Sequence, residues 1–158
     1  MIWIIGSHAK EFDMNNLPGN IPDCTFFFLA KAHQKAHGLL KQKLAPYGLT
    51  NMQHLILEGI WYQEGATAAE LGKLLILDKA TLSGIIDRLD DGGWIKKQPD
   101  KADKRVLRLY PSDKANGIKE ELIAVRKKGN DFLLADFTME EKILFKRLLR
   151  SLFIQINP

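Results

Sequence analysis

Between Trp94 and Arg108 stand six cations, Lys96, Lys97, Lys101, Lys104, Arg105 and Arg108, against two acids, Asp100 and Asp103. That local excess equals the formal net charge of the 158-residue chain, +4, so the rest of the chain sums to zero. Cations so concentrated suit a polyanion: each can replace a counterion on a phosphate, and an arginine can enter a narrow groove of negative potential. Upstream, Lys79, Thr81, Ser83 and Arg88 add ammonium, hydroxyl and guanidinium donors, with the small Ala80 and Gly84 among them. Donors interleaved with small residues let a backbone approach the base edges and phosphates of a duplex closely. One feature opposes this: Asp78 to Asp91 holds four acids against two bases.

These groups need elements to position them. Leu82, Ile85, Ile86 and Leu89 recur at the i, i+3, i+4, i+7 spacing of an amphipathic helix. Opposite that stripe fall Ala80, Gly84, Asp87 and Asp91, flanked by Thr81, Ser83 and Arg88. The bland account of Gly84 is relief of crowding in a packed helix, where glycine costs about 1 kcal/mol against alanine. Leu71, Leu74 and Leu75 mark a shorter helix that starts at Thr67, with Glu70 placed to complete a capping box. Leu75 to Asp78 leaves room only for a tight corner, and Asp78 suits the N-cap of the second helix. Gly92-Gly93 ends that helix, Trp94 and Ile95 start a strand, and Arg105 to Tyr110 alternates as its return. Gln98 to Lys104 is the polar turn between them, and a merely solvated charged hairpin is the bland account of it.

The order of these elements, the run LGKLLILDKATLSGIIDRLDDGGWI and Asp103-Lys104-Arg105 in the turn resemble the MarR family of winged helix-turn-helix transcriptional regulators, from about Pro22 to Ile156. The resemblance implies a mainly α fold with a small β-wing and N- and C-terminal dimerisation helices. It makes Arg105 the residue that reaches the minor groove and Asp103 the support of the wing. The residues expected to face double-stranded DNA are Thr67, Lys79, Ala80, Thr81, Ser83, Gly84, Arg88, Lys101, Asp103, Lys104 and Arg105. The chain departs from the family after the second strand. A Leu-Thr-x-x-Gly element is usual there, whereas Leu109 is followed by Tyr110-Pro111-Ser112-Asp113, so Ser112 or Asp113 is expected to cap the next helix.

A chain of 158 residues, 46% hydrophobic, suits a single domain. Its expected parts are an N-terminal arm over 1–21, dimerisation helices within 22–47 and 112–158, and a winged-helix lobe over 50–110. Helices are expected from about Asp23 to Leu44, from about Ser112 to Asp136 with Ile118, Leu122, Val125, Leu133 and Phe137 on a near-heptad stripe, and after Thr138, where Ile143, Leu144, Leu148, Leu149, Leu152 and Phe153 form the apolar face. This is more apolar surface than one small lobe covers, and the resemblance implies that the first and last helices interlock in a homodimer. Two recognition helices then meet a pseudo-palindromic operator with half-sites about one turn apart. No apolar run approaches the ~20 residues that span a bilayer. Met1 to Ile5 is followed at once by Gly6-Ser7-His8 and has no basic n-region, unlike a signal peptide. The single cysteine excludes an intrachain disulfide, and a cytoplasmic protein is expected. Trp3 receives no functional account.

The resemblance also implies a small aromatic or phenolic acid effector and the behaviour of a repressor that it releases. Phe26, His33, His37, His54 and Trp61 are the candidate effector residues: histidines to meet a carboxylate or phenolate, aromatics to pack on a ring. Ordinary core aromatics and half-exposed histidines are the alternative. His33 and His37 have the i, i+4 spacing that can chelate a metal, but no dense His/Cys/Glu cluster accompanies them, and no metal or other cofactor is expected. Cys24 stands where peroxide-sensing relatives keep a cysteine, yet Phe26-Phe27-Phe28 replaces their tyrosines and nothing basic flanks it. There is no Gly-x-Ser-x-Gly, P-loop, His-Glu-x-x-His or dinucleotide fingerprint, so an enzyme is not expected. A regulator that responds to redox through Cys24 or to a metal, and a winged helix used as a protein-interaction module, remain as the alternatives.

Overall fold

The computed structural model describes residues 24–156, so the expected arm over 1–21, with Trp3, lies outside the described residues. The chain divides into two compact units, Met1–Ala36 and His37–Pro158. In the first, α1 (Thr25–Leu44) begins. Phe27 and Phe28 meet edge to face at 5.7 Å there, and the Lys31 ammonium stands 5.8 Å from the Phe27 ring centroid. Phe26, Phe28 and Leu29 are exposed.

In the second unit α1 ends in a 3-10 turn, Ala45–Tyr47, closed by Gly48 in the left-handed region. α2 (Asn51–Tyr62) starts at Thr50 in a complete capping box: the Thr50 hydroxyl accepts the Gln53 N–H and the Gln53 side chain accepts the Thr50 N–H. α3 (Ala68–Leu75) and α4 (Lys79–Asp91) follow, then β1 (Ile95–Pro99) and β2 (Leu107–Pro111), α5 (Asp113–Gly117), α6 (Lys119–Leu133) and α7 (Met139–Ile156). α2 is the central element. Its Ile56, Leu57 and Ile60 pack in one core with Leu44, Leu71, Leu82, Ile86, Leu89, Ile95, Leu109 and Leu122. Each such side chain contributes about 1.5–3 kcal/mol relative to exposure.

β1 and β2 pair antiparallel, Ile95 opposite Pro111 and Lys97 opposite Leu109. A bridge from Thr67 to Arg108 ties the start of α3 to this hairpin. Gly65, at φ +78°, makes the corner before α3, where an added Cβ would stand 2.9 Å from the Tyr110 hydroxyl. The long helix expected from Ser112 to Asp136 is in fact two. Gly117 is a poor helix former, and Ile118 leaves helical geometry at φ −121°, its N–H turning back to the Ala115 carbonyl. Among the described residues no helix is long and apolar enough to cross a membrane.

Candidate nucleic-acid interface

The corner between α3 and α4 is fixed by local hydrogen bonds that the sequence foretold. The Thr67 hydroxyl accepts the Glu70 N–H at 3.2 Å, and the Glu70 carboxylate accepts the Thr67 N–H at 2.7 Å. Asp78 caps α4 by accepting the Thr81 N–H at 2.8 Å, and the Thr81 hydroxyl and amide hold its carboxyl below the usual range. Between the caps Ile76 takes φ 54°, the one left-handed non-glycine among the described residues, at a cost of about 1–3 kcal/mol for such a conformer. The Leu77 N–H reaching the Gly72 carbonyl at 2.9 Å closes the turn.

α4 buries Leu82, Ile86 and Leu89, with Ile85 half-buried. Lys79, Ala80, Thr81, Ser83, Gly84, Asp87 and Arg88 are all exposed on the remainder of the helix. A Cβ built on Gly84 would meet nothing within 4 Å, so crowding does not explain that glycine. The acids of α4 are largely occupied. Asp78 is the cap, and the Lys97 ammonium of β1 lies 2.7 Å from Asp87 Oδ1 and 3.2 Å from Asp90 Oδ2. Its bond to Asp87, more than that to Asp90, raises the Lys97 pKa.

The hairpin tip is built by two aspartates. Asp100 Oδ1 accepts the N–H groups of Ala102 and Asp103 at 2.8 and 3.1 Å, while its other oxygen pairs with the Arg108 guanidinium. Arg108 also donates to the Gly65 carbonyl at 2.8 Å, fastening the hairpin to the corner before α3. Arg108, then those two backbone donors, lowers the Asp100 carboxyl to about 2. Asp103 accepts the Arg105 N–H, Nε–H and Nη2–H, each at 3.0 Å, so the arginine fork is preset at the tip with its side chain 91% exposed. Lys101 and Lys104 are exposed beside it. Among the described residues no hydrogen bond or ion pair engages the side chains of Lys79, Arg88, Lys101 or Lys104.

α5 grips the end of α4. The Lys114 ammonium donates to the Gly92 carbonyl at 2.8 Å and lies 4.0 Å from the Trp94 ring centroid, while the Ser112 hydroxyl donates to the Gly93 carbonyl at 2.7 Å. Ser112 caps α5 through the Ala115 N–H, as its position after β2 predicts. Neither contact to a backbone carbonyl leaves a mark in the sequence.

The effector candidates are placed differently from one another. Phe26 and His33 are exposed in the first unit, and Phe26 is 86% exposed. In the second unit His37 is exposed on α1, and its carbonyl accepts the Asn51 side-chain N–H at 3.0 Å. His54 is 2% exposed, with Nε2 3.1 Å from the Leu122 carbonyl and 3.5 Å from Glu58, so it stitches α2 to α6 within the core. Trp61 lines a cavity of about 310 Å³ together with Glu58, Tyr62, Lys119, Ile123 and Arg126. Its indole N–H donates to Asn116 at 3.0 Å, and the Lys119 ammonium stands 5.9 Å from its ring centroid. Arg126 Nε lies 2.7 Å from Glu58. Sequence reading missed Lys119 and Arg126, although their spacing of seven with Ile123 between puts them on one face of α6. Cys24 is half-buried, and among the described residues no group of three or more His, Cys, Asp or Glu could hold a metal ion.

Comparison with known proteins matches the MarR family model to residues 49–107, the stretch that spans α2 to the wing. The HTH-type transcriptional regulator TtmR of Methylorubrum extorquens is 34% identical over 79 residues, 50% of this chain and only 40% of TtmR. The uncharacterized HTH-type transcriptional regulator YwoH of Bacillus subtilis is 30% identical over 72% of this chain and 82% of its own length. Among solved structures, a MarR mutant from E. coli complexed with operator DNA superposes with a TM-score of 0.73 at 26% identity, covering 79% of this chain and 90% of that one.

Proposed function

The chain belongs to the MarR family of DNA-binding winged helix-turn-helix transcriptional regulators and is not an enzyme, and on that premise we propose that it is a cytoplasmic homodimeric repressor released from a pseudo-palindromic operator by a small aromatic acid. The observation that carries the DNA reading is the exposed side of α4, small at Ala80 and Gly84 and donor-rich at Thr81, Ser83 and Arg88, beside a hairpin tip bearing Lys101, Lys104 and Arg105. In this reading α4 enters the major groove, where Thr81, Ser83 and Arg88 meet bases or phosphates. Thr67, at the start of α3, and Lys79 flank the phosphates. Arg105, preset by Asp103, reaches the adjacent minor groove while Lys101 and Lys104 lie along the backbone.

Two features support the finer claims. α7 exposes Ile143, Leu144, Leu148 and Leu149 over most of its length, an apolar surface suited to a second copy. The cavity between α2 and α6 joins two aromatic walls, Trp61 and Tyr62, to the Lys119 ammonium, with Arg126 beside it paired to Glu58, a lining that suits an aromatic ring whose carboxylate meets Lys119. Its volume of about 310 Å³ admits a single ring. Of the residues singled out in the sequence, only Trp61 is given an effector role here; His54 serves the fold beside the cavity.

Fluorescence anisotropy tests both parts on a duplex that the wild-type protein recovers from a randomised pool, in a salt series with benzoate and phenol as probes. Sequence-selective binding weakened by benzoate more than by phenol, and insensitive to benzoate in Lys119→Met, is the expected result. Recovery of no duplex would overturn the DNA assignment, and a Lys119→Met protein released as readily as wild type would overturn the effector site.

A further inference from the structure

β1 carries a lysine where its pattern calls for an apolar residue. Ile95 and Pro111 are opposed and buried, and Lys97 is opposed to Leu109, which is 2% exposed. Residues alternate faces along a strand, so Lys97 lies on the same face of the hairpin as Ile95, the face that packs on the core. Its side chain is only 21% exposed, and its ammonium reaches across to α4, 2.7 Å from Asp87 and 3.2 Å from Asp90. Those carboxylates are 62% and 38% exposed, and Asp87 shares the outer stripe of α4 with Ala80 and Gly84.

We propose that Lys97 is a positioning residue for DNA recognition: it cancels charge on α4, so that an otherwise acidic helix can lie against phosphates, and it does not touch the phosphates itself. The inference rests on the reading of α4 as the groove-facing helix. Two bare carboxylates, Asp87 on that face and Asp90 at its edge, would repel a duplex from within a Debye length, about 8–10 Å at ordinary salt, over which screening is incomplete. A cation between them reduces the repulsion. Held by two carboxylates on the inner side of the wing, Lys97 is not free to follow the backbone as Lys101 and Lys104 are. The same contacts fix the hairpin against α4, which sets the distance between the major-groove and minor-groove elements.

The test compares four full-length proteins on the duplex recovered by the wild type: wild type, K97M, the D87N/D90N pair, and the triple variant. The expected result is that K97M binds about tenfold more weakly, equivalent to ~1.4 kcal/mol, with the deficit shrinking as added salt screens the exposed carboxylates. The triple variant should bind within about threefold of D87N/D90N, because without the carboxylates the lysine has nothing left to cancel. If the triple variant is as impaired relative to D87N/D90N as K97M is relative to wild type, Lys97 acts on the phosphates independently of the carboxylates and the proposal is wrong. Unaltered binding by K97M overturns it as well. Should K97M fold poorly, a triple variant that binds about tenfold more weakly than D87N/D90N still overturns the proposal, and one that binds as D87N/D90N does still excludes a direct phosphate contact. Failure of the wild type to recover any duplex strikes the DNA reading instead, so the two failures are separable.

Discussion

Gly84 sits in the middle of α4 with open space where a side chain would begin. In an exposed helix interior glycine is less favourable than alanine by about 1 kcal/mol, so nothing in the folded protein itself rewards its presence. In the proposed DNA complex its value lies in what approaches from outside: without a Cβ, the helix backbone can come closer to a base edge. Gly84→Ala is therefore expected to raise stability by about 1 kcal/mol in denaturant melts while weakening operator binding by about tenfold. A variant both more stable and equally tight would remove Gly84 from the contact surface. The aspartates at positions 100 and 103 show the opposite logic, side chains whose oxygens are committed to backbone and guanidinium donors so that a neighbouring cation is aimed.

At the scale of elements, the wing is fastened by charge. The Asp100 carboxyl is lowered from 3.8 to about 2, chiefly by Arg108. A lowered carboxylate stabilises the fold above its unfolded value, and that contribution fades as the pH falls through the folded one. The hairpin tip should thus open locally as the pH drops from about 4 to about 2, seen as a loss of amide protection, relative to the intrinsic exchange rate at each pH, at Ala102 and Asp103, whose N–H groups Asp100 accepts. Asp100→Asn should already exchange fast at neutral pH and show no further acid response there. Amide protection in the wild type that holds steady down to pH 2 would deny the carboxylate this role. The devices legible in the sequence are those that act over three residues, namely the caps at Thr67, Asp78 and Ser112, together with the helical stripe of Leu82, Ile86 and Leu89. What escaped depends on distant chain meeting: Lys97 on Asp87, Lys114 on the Gly92 carbonyl, Lys119 over Trp61. The break at Ile118 escaped for a different reason, since apolar spacing continued across it and only the glycine before it hinted at the interruption.

At the scale of the whole molecule, the question is what covers α7. Met139, Ile143, Leu144, Leu148 and Leu149 stand 67%, 63%, 47%, 50% and 41% exposed, and Phe132 and Leu133 at the end of α6 are exposed as well. Lone apolar side chains on a surface need no explanation, but a row of them along one helix does. Burying them against a second copy returns about 25 cal/mol for each Å² removed from water, and a two-fold pairing doubles every such contact. In the proposed function the pairing also serves recognition, because one α4 and one wing make few contacts and two are needed to read a pseudo-palindrome with affinity. Leu148→Glu with Leu149→Glu places charges on that surface and should convert a dimer into a monomer by sedimentation equilibrium at micromolar concentration. The α2-centred core, which involves neither residue, should keep the near-ultraviolet signal of Trp61 and Trp94. Operator binding should then fall to that of a half-site, with the salt slope roughly halved. A wild-type monomer at the same concentration would deny the pairing altogether, and a doubly charged variant that still sediments as a dimer and binds normally would show that the copies meet through another surface.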